Sequence, residues 1–302
     1  MCSPAREPLV PDVLPADQAA RIREAFPDLD GVSAEFAGAG WDHDTWLLGH
    51  ETLLRVPRHP VDPGYFTREA AFLDLLGRHT TVNVPEVSHL SADASLLGYR
   101  ALPGSTLTDA GLATLSTDQF ERVAEHVATL FSEVHAIPAE ETGHLDPIVR
   151  RGIDHVEWLQ NGIEQQLRGV IPDRDCDAFE QFLPELGETI DTAPLQVVLH
   201  GDFGLDAVVT DDQTGQVGFI DFSDWAIGDP AMDFGGLTWS APELAEAVLD
   251  RYRLKTAAGD VLARARVYNK MIAAGLMIHA QIGADISIED ARADFLRRFG
   301  LV

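Results

Sequence analysis

The chain predicts an α+β fold, with a small antiparallel β-sheet lobe over residues 1–102 and a larger, mainly helical lobe over 103–302. Three observations carry this. Short apolar runs that alternate with polar residues, punctuated by Gly and Pro, fill most of the first 102 residues. Pro103-Gly104 then breaks the pattern, which puts the connection between the lobes at about 99–104. Beyond it, apolar residues recur at helical spacing, interrupted by one short strand pair near 207–220.

The elements follow in order. Ala16 to Phe26 is a helical pattern after Pro15, ended by a Pro-Asp-Leu-Asp-Gly turn. Residues 33–49 read as strand, Gly-containing turn and strand, and Glu51 to Pro57 as a third strand. A helix from about Thr67 to Arg78 carries Ala70, Ala71, Leu73, Leu75 and Leu76 on its apolar side. Two more strands lie at Val84 to Leu90 and Leu96 to Leu102. In the second lobe, Thr117 to His135 repeats apolar residues at Phe120, Val123, Val127, Leu130, Phe131 and Val134. Two helices fill roughly 149–190, split near Gly169 to Cys176. Strands at Ala207 to Asp211 and Val217 to Ile220 flank an Asp-Gln-Thr-Gly turn, and helices return at Pro242 to Lys255 and Asp260 to Ile282.

Composition excludes several function classes. At 302 residues and 45% hydrophobic content, the chain can bury a substantial core. No apolar run approaches the roughly 18 residues needed to cross a bilayer, and the first residues lack the apolar core of a signal peptide. Cys2 and Cys176 read as free thiols, so a cytoplasmic protein is expected. Forty-nine acidic residues against 22 basic ones leave a net charge of −27, and Lys255 and Lys270 are the only lysines. Such a surface disfavours nucleic acid and anionic membranes and attracts cationic small molecules. A solubility adaptation explains the same charge equally well. A monomer or weak dimer is expected.

The chemistry concentrates in residues 200–233. His200-Gly201-Asp202-Phe203 is followed, 19 residues after Asp202, by Asp221 at the end of an apolar run, then by Asp224, Asp229 and Asp233. A loop, strand, turn and strand with a carboxylate at each end is how kinase-type enzymes hold a catalytic base near a metal ligand. Taken singly, either Asp is equally a turn or N-cap residue. The histidines are scattered without metal-ligand spacing, so no zinc site is expected.

Leu54 to His59, Arg68-Glu69, Leu102-Pro103-Gly104, His200 to Phe203 and Ile220 to Phe234 occur in sequence over about 200 residues. This ordered set resembles the aminoglycoside phosphotransferase family, whose fold is bilobal and protein-kinase-like. The 2''-aminoglycoside phosphotransferases look most alike, with macrolide and hygromycin phosphotransferases as neighbours. The resemblance implies an ATP- or GTP-dependent kinase that moves the γ-phosphate to a hydroxyl of a small-molecule antibiotic. An aminoglycoside is the favoured acceptor. A macrolide or other small-molecule acceptor, taken into a more apolar pocket, is the first alternative, and a catalytically weak, pseudokinase-like binding protein is the second.

It also implies roles. Asp202 orients the acceptor hydroxyl and takes its proton, and Asp221 binds Mg2+ on the phosphates. Arg55 stands where kinase folds place a phosphate-binding Lys and pairs with Glu69, although neighbouring Arg58 is an alternative. Gly38 and Gly40 lie where a loop covers the triphosphate, and Tyr99 to Leu102, with Arg100 and Leu102 as the candidate residues, where a purine edge meets backbone. Asp154, Glu157, Asp224 and Glu243 are candidate partners for substrate amines, chosen by position. His200, Asp229 and Asp233 are expected to be structural. Position 207, five residues after Asp202, departs from the pattern: the family has Asn or His there as a metal ligand, and this chain has Ala207. Three readings stand. One metal on Asp221 suffices, Asp206 replaces the missing ligand, or the fold binds ligands without efficient transfer.

Overall fold

The computed structural model describes residues 13–39, 43–59, 64–143, 145, 149–150, 153–254, 260–283 and 286–302. The chain divides into two compact units, one of Met1–Leu75 with Pro85–Leu102 and one of Leu76–Val84 with Pro103–Val302.

The first unit opens with helix α1 (Ala16–Ala25), started by Pro15, and continues into strands β1 (Ala34–Ala39), β2 (His43–Leu48) and β3 (Thr52–Pro57). Helix α2 (Tyr65–His79) follows, with its last residues counted in the second unit, and then β4 (Val87–Leu90) and β5 (Leu97–Arg100). The five strands form one antiparallel sheet in the order β1-β2-β3-β5-β4. Alternation decides which face is covered: Trp46 and Leu48 of β2 and Leu54 and Val56 of β3 are buried together with Ile22 and Phe26. Each such side chain contributes roughly 1.5–3 kcal/mol of burial. The polar end of Trp46 is satisfied by Gln18 Oε1 at 2.9 Å, and Gln18 donates to Asp44 at 3.0 Å, which fastens α1 to the sheet.

The second unit holds β6 (Ser105–Thr106), α3 (Asp109–Thr114), α4 (Thr117–Val134), α5 (Ala139–Thr142), β7 (Val149–Arg150), α6 (Ile153–Gly162) and α7 (Asp173–Asp191). It continues through β8 (Val197–Leu199), β9 (Val208–Thr210), β10 (Val217–Phe219) and β11 (Ala226–Gly228) to α8 (Leu237–Ser240), α9 (Pro242–Arg251), α10 (Val261–Ile282) and α11 (Ile288–Arg298). Two three-stranded sheets result, ordered β10-β9-β6 and β7-β11-β8. Helix α4 starts at a capping box between Ser116 and Gln119 and buries the apolar stripe that its periodicity predicts, although Phe120 is only partly covered.

An α+β chain with an antiparallel N-terminal sheet and a helical C-terminal region is therefore what forms. The differences are local. The expected strand from Ala207 begins one residue later, because Leu205–Ala207 closes a 3-10 turn. Strands β6, β7, β8 and β11 are two or three residues long, too short to show a period of two. Helix α11 was not expected because its pattern is faint: only Ala291 and Phe295, one turn apart, are buried in an otherwise charged stretch.

Candidate active site

The site is built on β8, whose residues Val197, Val198 and Leu199 are all buried. An entirely apolar three-residue strand wedged against β11 makes a rigid base, and the chain leaves it at His200. Gly201 has φ +93°, and a Cβ there would lie 1.9 Å from the carbonyl oxygen of Asp224. Only glycine allows the Asp202 loop to press so closely on the loop after β10. A second tie joins the same two loops, since His200 Nε2 lies 3.0 Å from the carbonyl oxygen of Ile220. Asp202 follows the first tie by one residue and Asp221 follows the second by one residue. The two candidate carboxylates thus leave one cross-linked piece of backbone, and both are exposed.

Asp221 has φ +66°, a left-handed conformation that non-glycine residues seldom adopt. Its Oδ1 accepts from the Ser223 hydroxyl at 3.1 Å. A strained, exposed carboxylate held by its own turn suits a ligand-binding role.

Beneath the loops lies a buried carboxylate. Asp233 accepts from the backbone N–H of His200 at 2.8 Å and of Gly201 at 2.9 Å. It lies 3.0 Å from Nε2 of His135, whose Nδ1 is 2.7 Å from the hydroxyl of Tyr252. Burial alone would push the Asp233 carboxyl up. The His135 hydrogen bond, the His135 and His200 charges and the Gly201 N–H outweigh it and hold the group below the usual carboxylate range. Burial and the neighbouring Asp233 charge push the Tyr252 hydroxyl up, so it stays a donor. Asp229 is buried too: it caps the turn at Ala231, takes two hydrogen bonds from Arg264 at 2.7 and 3.0 Å, and accepts from Tyr268 at 3.2 Å. Phe203 and Phe222 pack on the His200 ring, and Phe203 also meets Phe131 of α4 at 4.7 Å. Asp233 and His200 therefore hold the loops in place, and Asp229 fixes the turn that leads to Asp233.

Ala207 is 2% exposed, and its carbonyl receives the N–H of Ile220. Asp206 points the other way. It is exposed, and its Oδ1 would lie 2.5 Å from a Cβ on Gly204. With Asp202 it lines a cavity of about 470 Å³ whose wall also includes Asp109, Trp239, Ile272 and Arg298. Asp221 is not among the lining residues, so Asp206 shares a space with the candidate base rather than with the candidate metal ligand.

In the first unit, Arg55 is 2% exposed on β3. Its guanidinium bonds Glu69 of α2, which is equally buried, and its Nε donates to His43 Nε2 at 2.8 Å. The ring of Phe66 lies 5.6 Å from the guanidinium carbon. Arg58 instead meets Asp44 near the surface at 2.7 Å. The Arg55–Glu69 pairing thus forms as the sequence suggests. Arg55→Met is expected to cost roughly 3–5 kcal/mol, because it removes the guanidinium that neutralises a buried carboxylate. The Arg55→Met, Glu69→Met double variant should regain most of that loss, as urea denaturation of the two variants would report.

Residues 33–268 match the model of the phosphotransferase enzyme family, APH. The chain belongs to that family. Its fold is similar to that of an aminoglycoside 2'-phosphotransferase-IIIa in its GDP complex, with a TM-score of 0.81 and 20% identity over 94% of this chain and 98% of that one. It is also similar to a macrolide 2'-phosphotransferase from Brachybacterium faecium, with a TM-score of 0.65 and 21% identity over 93% and 98% of the two chains. A curated relative, a probable acyl-CoA dehydrogenase from Arabidopsis thaliana, is 28% identical over 192 residues, or 58% of this chain. The phosphotransferase-family chain spans about a fifth of that relative's length, 22%.

The other candidates of this phosphotransferase-family chain scatter. Gly38 sits at a register shift in β1, opposite Thr45 of β2, and Gly40 lies outside the described residues. Arg100 ends β5 with its side chain exposed, and Leu102 closes the first unit, partly covered. Glu157 on α6 and Glu243 in the first turn of α9 are exposed, Asp224 is half-buried, and none of the three lines the cavity at Asp202. Asp154 lies in α6, with its side chain outside the described set. Sequence reading missed Asp109, Trp239 and Arg298, which reach the cavity from three different helices. Only Asp206 carried a signal, by its closeness to Asp202. Among the described residues, no helix is long and apolar enough to cross a membrane.

Proposed function

We propose that this chain transfers the γ-phosphate of a nucleoside triphosphate to a hydroxyl of a small, multiply charged molecule of the aminoglycoside type. The observation that carries it is Asp202, an exposed carboxylate on a braced loop at the wall of a cavity of about 470 Å³. Asp202 accepts a hydrogen bond from the acceptor hydroxyl, points its oxygen at the phosphorus, and takes its proton late in transfer. Asp109 and Asp206 on the same wall suit acceptor ammonium groups.

Asp221 suits Mg2+, a hard cation that is content with one carboxylate and completes its shell with water and phosphate oxygens. When bound, Mg2+ supplies charge neutralisation on the phosphates. The Ala207 side chain offers no ligand atom and its carbonyl already accepts from Ile220, and Asp206 opens into the acceptor cavity, so a metal site resting on Asp221 alone is the reading we adopt.

A second reading, an apolar acceptor of the macrolide type, is favoured by Leu107, Phe203, Trp239 and Ile272 on the same cavity wall. The test is transfer of labelled γ-phosphate from ATP and from GTP, with Mg2+, to kanamycin, gentamicin and erythromycin. Label on either of the first two supports the leading reading, and label on erythromycin alone supports the second. Nucleotide binding without transfer to any of them sinks both and leaves a binding protein.

A further inference from the structure

Trp239 is an unusual residue to find in the wall of the Asp202 cavity. Its side chain is 42% exposed, where most large apolar groups of the second unit are covered. Its position is nonetheless fixed. Helix α8 is capped by Gly236, where a Cβ would lie 2.4 Å from the carbonyl oxygen of Phe203, the residue after Asp202. Trp239 stands one turn further on, its backbone N–H donating to the carbonyl of Gly236 at 3.2 Å. The ring is thereby tied through backbone to the loop of the candidate base.

A charged group backs the ring. The guanidinium carbon of Arg298 lies 5.6 Å from the Trp239 ring centroid, and Arg298 is itself anchored by Asp294 at 2.7 Å. The ion pair within α11 holds the guanidinium beside the ring. It also satisfies the cation-attracting character of the indole from one side, so the surface left open is best matched by an uncharged ring face. Ile272 of α10 and Leu107 extend the apolar wall, while Asp206 and Asp109 provide hydrogen-bond acceptors on the same cavity.

We propose that Trp239 is a specificity-determining residue: it stacks on the C–H face of a hydroxylated ring of the acceptor and so presents one ring hydroxyl to Asp202. This rests on the phosphotransferase reading above. Acceptor ammonium groups go to Asp206 and Asp109, and the ring face goes to Trp239. Flat rings and sugar rings share this chemistry with an indole, but only a ring that bears a free hydroxyl can also use Asp202.

The experiment compares wild type, Trp239→Ala and Trp239→Phe in steady-state phosphotransfer, with kanamycin and erythromycin as probes. Stacking on an aromatic face predicts a rise of about tenfold in acceptor KM for Trp239→Ala, with most of it restored by Trp239→Phe. Nucleotide KM and the thermal midpoint should move little, because the side chain is 42% exposed and lines the Asp202 cavity, which Asp221 does not. An unchanged acceptor KM in Trp239→Ala, with wild type active, overturns this role and leaves the phosphotransferase reading standing. A fall in thermal midpoint together with kcat, unrelieved by Phe, shows a structural tryptophan and also overturns it. Should wild type transfer to neither probe, titration of each probe against tryptophan fluorescence decides. A saturable change absent from Trp239→Phe supports the contact while sinking the transfer reading for these acceptors, and no change sinks both.

Discussion

Asp202→Asn is expected to lower kcat by about 10²- to 10⁴-fold, the range in which a positioned general base contributes. Asn keeps the shape of the side chain and can still accept one hydrogen bond, but it cannot take the proton. The loss should fall on kcat, with acceptor and nucleotide KM changing by much less, since Asn keeps the shape of that part of the cavity wall and the Asp221 loop is not altered. Stability should be nearly unchanged: Asp202 is exposed, and the loop is held by Gly201, His200 and Asp233 around it. Single-turnover transfer of labelled phosphate, beside a thermal melt, checks both halves. A variant that keeps more than about a tenth of wild-type kcat would remove Asp202 from the base role, since even the weakest general bases contribute more.

Asp233→Asn should have the largest effect on stability. The carboxylate accepts from two successive backbone N–H groups and is within hydrogen-bond distance of His135, all out of contact with water. An amide has one oxygen, so an NH2 must then face a donor, and the negative charge that complements His135 is gone. A buried, charge-assisted network broken in this way costs roughly 3–5 kcal/mol. Activity should fall with it, because the residues that Asp233 holds are the two preceding Asp202. The effect has a pH signature. The Asp233 carboxyl is held below its ordinary range in the folded state, so its contribution is fully present above the unfolded value of about 3.9. It is lost as pH falls through the lower folded value. Wild type should therefore lose thermal midpoint steeply below about pH 4, and Asp233→Asn should start lower and fall less over that limb. Parallel acid limbs in the two proteins would rule out Asp233 as the linked group.

Part of the candidate site was legible because its residues are local in sequence. Asp202 and Asp221 sit at the ends of a strand pair, and Gly201 precedes Asp202 because its φ is left-handed and any Cβ there would lie 1.9 Å from the carbonyl oxygen of Asp224. Arg55 and Glu69 could be paired on paper because β3 and α2 are neighbours in the chain and the sequence holds no lysine before Lys255. The cavity at Asp202 was not legible. Glu157 and Glu243 were chosen as acidic residues on helices expected to lie near the site, yet neither lines the cavity. Asp109, Trp239 and Arg298 come from positions 109 to 298, and nothing in their local patterns marks them.

The sequence by itself determined the α+β plan, the membership in a phosphotransferase family and the candidate carboxylates, since periodicity, turn chemistry and short motifs depend on neighbours along the chain. Only the tertiary structure decided that Asp206 faces the Asp202 cavity while Ala207 is buried, and that Trp239 is backed by Arg298 beside the same loop. Such facts depend on which distant side chains close packing brings to one surface, and no local run of residues encodes them.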